Sequence, residues 1–181
     1  MTTTQREPGA TAEGRLRRAK RPRSVVAGPY GHPLHATVVT VPIGAWTAAV
    51  VFDIIALCGA DPAAFATGAQ WLVAIGVVGA LLAAVFGLMD LSVLAPGTKA
   101  RRLGLLHLAF NSAAVVLFVV SFVVRAAQPG EVSVAGFVIA LVGIAGVGVS
   151  GFLGGELAYR FGVRVADEST QLEGYREGAG R

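Results

Sequence analysis

Polar and apolar positions along this chain fall into blocks. Four apolar stretches, roughly His35 to Leu57, Trp71 to Leu94, Leu103 to Val124 and Val134 to Tyr159, are separated by short segments holding Asp61-Pro62, Pro96-Gly97 and Pro129-Gly130. Each stretch is close to the roughly 20 residues that cross about 30 Å of hydrocarbon as an α-helix, and the Pro-containing pairs are turn formers. The pattern predicts an all-α, membrane-embedded four-helix bundle in up-down-up-down order. A soluble helical core imitates one such run but not four in succession. The flanks, residues 1–31 and 166–181, are polar and lack a periodic apolar pattern. They are expected as disordered tails, leaving 32–165 as one transmembrane domain.

Composition sharpens this picture. Hydrophobic residues make up 54% of 181 positions and charged residues 14%, with a mean hydropathy of +0.66, more apolar content than one soluble core of this size needs. Of the 15 Lys and Arg, seven precede the first span (Arg6, Arg15, Arg17, Arg18, Lys20, Arg21, Arg23), three lie between the second and third (Lys99, Arg101, Arg102) and four follow the fourth (Arg160, Arg164, Arg176, Arg181). Only Arg125 lies on the other side, so the positive-inside rule places both termini in the cytoplasm. The basic run Arg15 to Arg23 has neither a nucleic-acid-binding fold nor interleaved aromatics, and contact with anionic lipid explains it better than nucleic acid. Cys58 is the single cysteine, which excludes an intrachain disulfide, a CxxCH haem attachment and a cysteine-built iron–sulfur cluster. Leu57 before Cys58 is too large for a lipoprotein cleavage box, so the first span is expected to stay in the mature protein.

The polar residues inside the spans carry the candidate chemistry. At 100° per residue, His35, Val39, Pro42, Trp46, Ala49 and Asp53 share one face, as do Gly76, Gly79, Ala83, Gly87 and Asp90 in the second span. In the third span Gly104, His107, Asn111, Ala114, Phe118, Ser121 and Arg125 align, and in the fourth Gly148, Gly151 and Gly155 form a small-residue stripe beside Glu156. Pro42 has no N–H for the Val38 carbonyl, which predicts a kink above His35. His35 precedes Asp53, and His107 precedes Arg125, by the same 18 residues, about 27 Å of helix. This spacing predicts an Asp53–Arg125 ion pair at the outer end. His32, His35, Asp90, His107, Asn111 and Glu156 then fall in or near the cytoplasmic third. Intramembrane ionisable groups are costly and normally mark function. Simpler roles are an interfacial position for His32, a helix-end position for Asp90 and an ion pair between Glu156 and Arg160 one turn later.

These residues fall in short motifs: His32-Pro33-Leu34-His35, Pro42-Ile43-Gly44, Gly87-Leu88-Met89-Asp90, Leu106-His107 with Asn111, and Gly154-Gly155-Glu156-Leu157-Ala158-Tyr159-Arg160 followed by Gly162-Val163. In that order they resemble the bacterial membrane family called domain-of-unknown-function 2231, from about His32 to Val165. The resemblance implies a multi-pass protein of the bacterial cytoplasmic (inner) membrane and brings no established activity. Some relatives are joined to Rieske-type modules, which implies redox work. Two departures stand out: Phe161 where relatives often have histidine, and Arg164 where they often have glycine. No Rieske module is present here.

The leading expectation is a redox-associated protein whose His35 and His107 ligate one b-type haem or a metal ion, as four-helix bundles do from facing helices. Asn111 and Glu156 would then orient an imidazole, and Gly87, Gly104 and Gly155 would make room for a porphyrin edge. A metal ion would draw on His32, His35, Asp90, His107 and Glu156. Alternatives are a structural or accessory subunit, or a small proton or solute relay. Partners beyond the bilayer would be a second copy or a redox protein. No Ser-His-Asp set, phosphate loop or HExxH motif supports catalysis by a protein nucleophile.

Overall fold

Side-chain caps start the long helices. Thr98 accepts from the Arg101 amide at 3.2 Å and Ser133 from the Gly136 amide at 3.2 Å, each satisfying an amide that the first helical turn leaves orphaned. Asp61, held at φ 39°, accepts from the Ala64 amide, and Pro62 occupies the first turn. This second helix therefore begins at Pro62 rather than at Trp71. Its first turns are rich in Ala63, Ala64 and Ala66, good helix formers that add little hydropathy, so the cap and not the apolar run sets the start.

The computed structural model describes residues 11–176. In chain order it contains α1 (Ala12–Lys20), a 3₁₀ turn (Pro29–Gly31), α2 (Leu34–Val38), α3 (Thr40–Leu57), α4 (Pro62–Ser92), α5 (Lys99–Ala126), α6 (Val134–Gly155), a π-helical turn (Glu156–Arg160) and α7 (Glu168–Glu173). Helices α2 and α3 together form the first span, Leu34–Leu57, and with α4, α5 and the stretch Val134–Arg160 give four helices long and apolar enough to cross a membrane. The break at Val39 comes where Pro42 leaves the helical ladder without its N–H. Successive spans run antiparallel, and α6 also meets α3, closing the bundle. At most 22% of each apolar window is buried within the molecule. Trp71, Val78, Val116 and Phe152 are among the large apolar side chains exposed on the outside of the bundle, the surface that a bilayer covers.

Glycines on α4 and α6 are seats for large side chains of the facing helices. A Cβ on Gly76 would collide with the Trp46 ring, one on Gly143 would come within 2.8 Å of Phe118, and one on Gly136 within 2.8 Å of the Arg125 chain. Trp46 and Phe118 stack at 3.9 Å between centroids and 7° between planes. With Ala49, Val73 and Ala140 they form the apolar middle of the bundle. The expected packing stripe Gly148, Gly151 and Gly155 is not the packed one: a Cβ on any of them meets nothing within 4 Å. Helix α6 is small-residue-rich on more than one face, and the side chains offered by α5 decide which face turns in.

Both ends of the described chain meet at one end of the bundle, called here the terminal end. Residues expected to lack structure are helical there. Thr11 caps α1, Ala19 packs with Leu94 and Leu157, the Arg164 amide donates to the Ala19 carbonyl at 3.0 Å, and Lys20 pairs with Glu168 at 2.6 Å. Leu16 and Ala19 are too few to form a sequence period; only docking against the span ends makes the helix worthwhile. Residues 1–10 and 177–181, including Arg6 and Arg181, lie outside the described residues.

Candidate functional site

Polar groups in the bundle form two layers, one on each side of the Trp46–Phe118 stack. At the end away from the termini, α3 presents Asp53 and α5 presents Arg125, 1% and 3% exposed. Nη1 and Nη2 of Arg125 donate to Oδ1 and Oδ2 of Asp53, each at 2.6 Å, the bidentate fork that suits a desolvated guanidinium–carboxylate pair. Nε donates to Ser121 Oγ at 3.1 Å, and that hydroxyl donates to the Gly136 carbonyl at 2.7 Å. The layer thus ties α3, α5 and α6 together.

Toward the terminal end, His35 of α2 and His107 of α5 meet edge to face, with ring centroids 6.1 Å apart and planes at 83°. Each ring lies over a glycine, His35 against Gly87 and His107 against Gly154. His35 Nδ1 lies 2.9 Å from the Ala83 carbonyl of α4, and His107 Nδ1 lies 2.8 Å from the Ser150 carbonyl of α6. A carbonyl only accepts, so each ring carries its proton on Nδ1. His107 Nε2 accepts from the Asn111 amide at 3.0 Å. His35 Nε2 has no hydrogen-bond partner among the described residues, and Asp90 shares the α4 face of Ala83 and Gly87, two residues that ring touches.

Asp90 faces Arg164, whose side chain is only 6% exposed. Asp90 Oδ1 and Arg164 Nε are 3.1 Å apart but are not aligned as a hydrogen bond, and both, with Arg164 Nη1, are buried without a hydrogen-bond partner. The remaining Arg164 nitrogen, Nη2, reaches the carbonyls of His32 at 3.2 Å and Ala27 at 3.4 Å, pinning the segment before α2 over this end. Arg164 sits at φ 60°, a left-handed conformation that costs a non-glycine residue about 1–2 kcal/mol. Its contacts account for a large side chain at a position shaped for glycine.

Four of the expected site residues, His35, His107, Asn111 and Asp90, come together here. Glu156 lies apart in the π turn, paired with Arg160 at 3.1 Å, and His32 is exposed. Among the described residues no group of three or more His, Cys, Asp or Glu could hold a metal ion, so the five-residue metal set is not assembled. Of the three glycines expected to admit a haem edge, Gly87 is covered by His35 and Gly104 by Leu91, while a Cβ on Gly155 meets nothing within 4 Å. Sequence reasoning missed Ser150, which gave no signal, and the role of Arg164, which was noted as a topology charge and as a departure from the family's glycine but not as the partner of Asp90.

Comparison with curated proteins and with solved structures found no match. A family model described as "Predicted membrane protein (DUF2231)" matches residues 31–167, taking in all four spans and both polar layers. This multi-pass membrane protein belongs to the DUF2231 family.

Proposed function

We propose that the protein exchanges protons at its terminal end, through a site made by His35, Asp90 and Arg164 that opens to the cytoplasm of a bacterial cell. The observation that carries this reading is where hydrogen bonding fails. Elsewhere in the bundle polar side chains are spent on neighbouring helices: Trp46 on the Val73 carbonyl, Ser121 on Gly136, Asp53 on Arg125. Among the described residues the buried side-chain atoms without a hydrogen-bond partner belong to Asp90 and Arg164, an ion pair whose contact is not aligned as a hydrogen bond, and His35 Nε2 has no hydrogen-bond partner either. An unpaired buried polar group costs about 1–3 kcal/mol, and such groups persist where they are used.

A proton from cytoplasmic water adds to His35 Nε2, and Asp90 balances the imidazolium charge while Arg164 holds that carboxylate otherwise. Release returns the proton to water. His107 stays neutral, because its Nε2 already accepts from Asn111. The Trp46–Phe118 layer closes the route below, so exchange is one-sided in this conformation. Infrared difference spectra of the protein in bilayers, recorded on stepping the pH, test this. Imidazole and carboxylate bands that disappear together in His35→Gln are expected; spectra identical in the variant would overturn it.

A second reading keeps the redox association. Both Nδ1 atoms are engaged by carbonyls, the arrangement that frees Nε2 for a metal, and the two rings come from different helices. A metal ion held by His35 and His107 would have to displace Asn111 and complete its shell from outside the chain. Metal analysis and oxidised and reduced absorption spectra decide between the readings. Metal bound in about equal amount to the protein, and lost in His107→Ala, favours this one. Colourless, metal-free protein without a titrating histidine leaves these side chains as helix ties of a structural subunit.

A further inference from the structure

Helix α1 carries its charges on two faces with different fates. Lys20 is neutralised by Glu168. The side chains of Arg17, Arg18 and Arg21, at i, i+1 and i+4, have no hydrogen bond or ion pair among the described residues, although Arg17 and Arg21 also border the neighbouring groove lined by Lys20, Glu13, Asp167 and Glu168. Like charges three or four apart on a helix repel. Together with Pro22, Arg23, Ser92 and Val93 the three arginines line an open cleft of about 690 Å³ between α1 and the end of α4. Arg23 donates to Ser92 Oγ at 3.0 Å, which fixes the wall where the second span ends, and no carboxylate lines the space.

We propose that this cleft binds a phosphate-bearing anion of two or more charges, with Arg17, Arg18 and Arg21 as its ligands. Guanidinium forks match phosphate oxygens in pairs, and an anion here removes the repulsion that the helix otherwise bears. The wall at Ser92 and Val93 lies where a spanning helix leaves the hydrocarbon, the level of lipid phosphates. Two sources share this chemistry: a di-phosphate lipid headgroup such as that of cardiolipin, and a free polyphosphate anion. This site is independent of the proton site.

The test uses the full chain in nanodiscs of phosphatidylcholine with and without a minority of cardiolipin, with retained lipid counted by native mass spectrometry. Pyrophosphate is titrated in parallel into the cardiolipin-free discs. Wild type is expected to retain cardiolipin or to bind pyrophosphate, the first result assigning the lipid and the second the free anion. R17Q/R18Q/R21Q should weaken that binding about a hundredfold, while K99Q/R102Q, which removes two charges outside the cleft, leaves it within a few-fold. Protease resistance of the α1 segment confirms that the triple variant stays docked; if it undocks, R18Q alone replaces it and should weaken binding about fivefold. Equal loss in K99Q/R102Q, or no binding of either probe by wild type, overturns the proposal.

Discussion

Asp53 and Arg125 are the clearest case of a residue pair whose removal one at a time is worse than its removal together. Each is almost fully desolvated, and leaving one buried charge alone costs about 3–5 kcal/mol. Asp53→Asn and Arg125→Gln should each lower stability in a detergent unfolding series by that order, and the double variant should recover a measurable part. Strict additivity would contradict a direct pair. Arg164 offers a test with opposing signs. Arg164→Gly relieves about 1 kcal/mol of left-handed strain but strips Asp90 of its counter-charge. The charge outweighs the strain, so Tm should fall; a rise in Tm would show that Arg164 is not holding Asp90. The equal 18-residue spacing made the Asp53–Arg125 contact legible, because it fixes depth on two helices whatever their rotation. Glu156 lies apart because it flanks the Gly148, Gly151 and Gly155 stripe, which no side chain covers, and it pairs with Arg160 one turn later, the simpler role its spacing already offered.

At the scale of elements, glycine seats set how closely the helices approach. Gly76→Ala drives a methyl into the Trp46 ring, and overpacking of this kind typically costs about 1–3 kcal/mol. Gly151→Ala adds a methyl that meets nothing and should be neutral within about 0.5 kcal/mol in the same unfolding series. This contrast could not be read from sequence, since both glycines lie on small-residue stripes and hydropathy does not say which stripe a neighbour covers. The docking of α1 was also hidden, because it rests on Ala19, on a main-chain bond and on one ion pair rather than on a period. That ion pair carries a pH signature. The Lys20 hydrogen bond and charge hold the Glu168 carboxyl below its ordinary range. A depressed folded value means that the contribution is present above the ordinary glutamate value of about 4.3 and is lost as pH falls through the lower folded one. A spin label at Glu13→Cys, in a Cys58→Ser background, should therefore gain mobility only in that acid window, and the change should vanish in Glu168→Gln. Unchanged acid sensitivity in that variant would place the docking energy elsewhere.

The described molecule is two polar layers separated by an aromatic one, with α1 and the segment after the fourth span folded over one layer and not the other. Four spans and their order were legible because apolar blocks and charge asymmetry are long-range patterns that survive local error. Which polar groups would be satisfied was not, since that depends on rotamers and on carbonyls such as those of Ala83 and Ser150. Orientation is tested by reporter fusions: a cytoplasmic reporter active after Arg181, and a periplasmic one active after Asp61, are expected from the charge asymmetry, and the reverse pattern would invert the bundle and the proposed cytoplasmic opening. The central claim is that the bundle leaves one imidazole, His35, free to take a proton while its neighbour is locked neutral. Histidine-selective nitrogen-15 NMR of the protein in bilayers reads both rings site by site. Across the pH range in which the fold is intact, His35 Nε2 should take up a proton reversibly, while His107 should keep its proton on Nδ1 and its acceptor Nε2. A His35 ring that remains neutral throughout, or a His107 that takes the proton instead, would contradict the account.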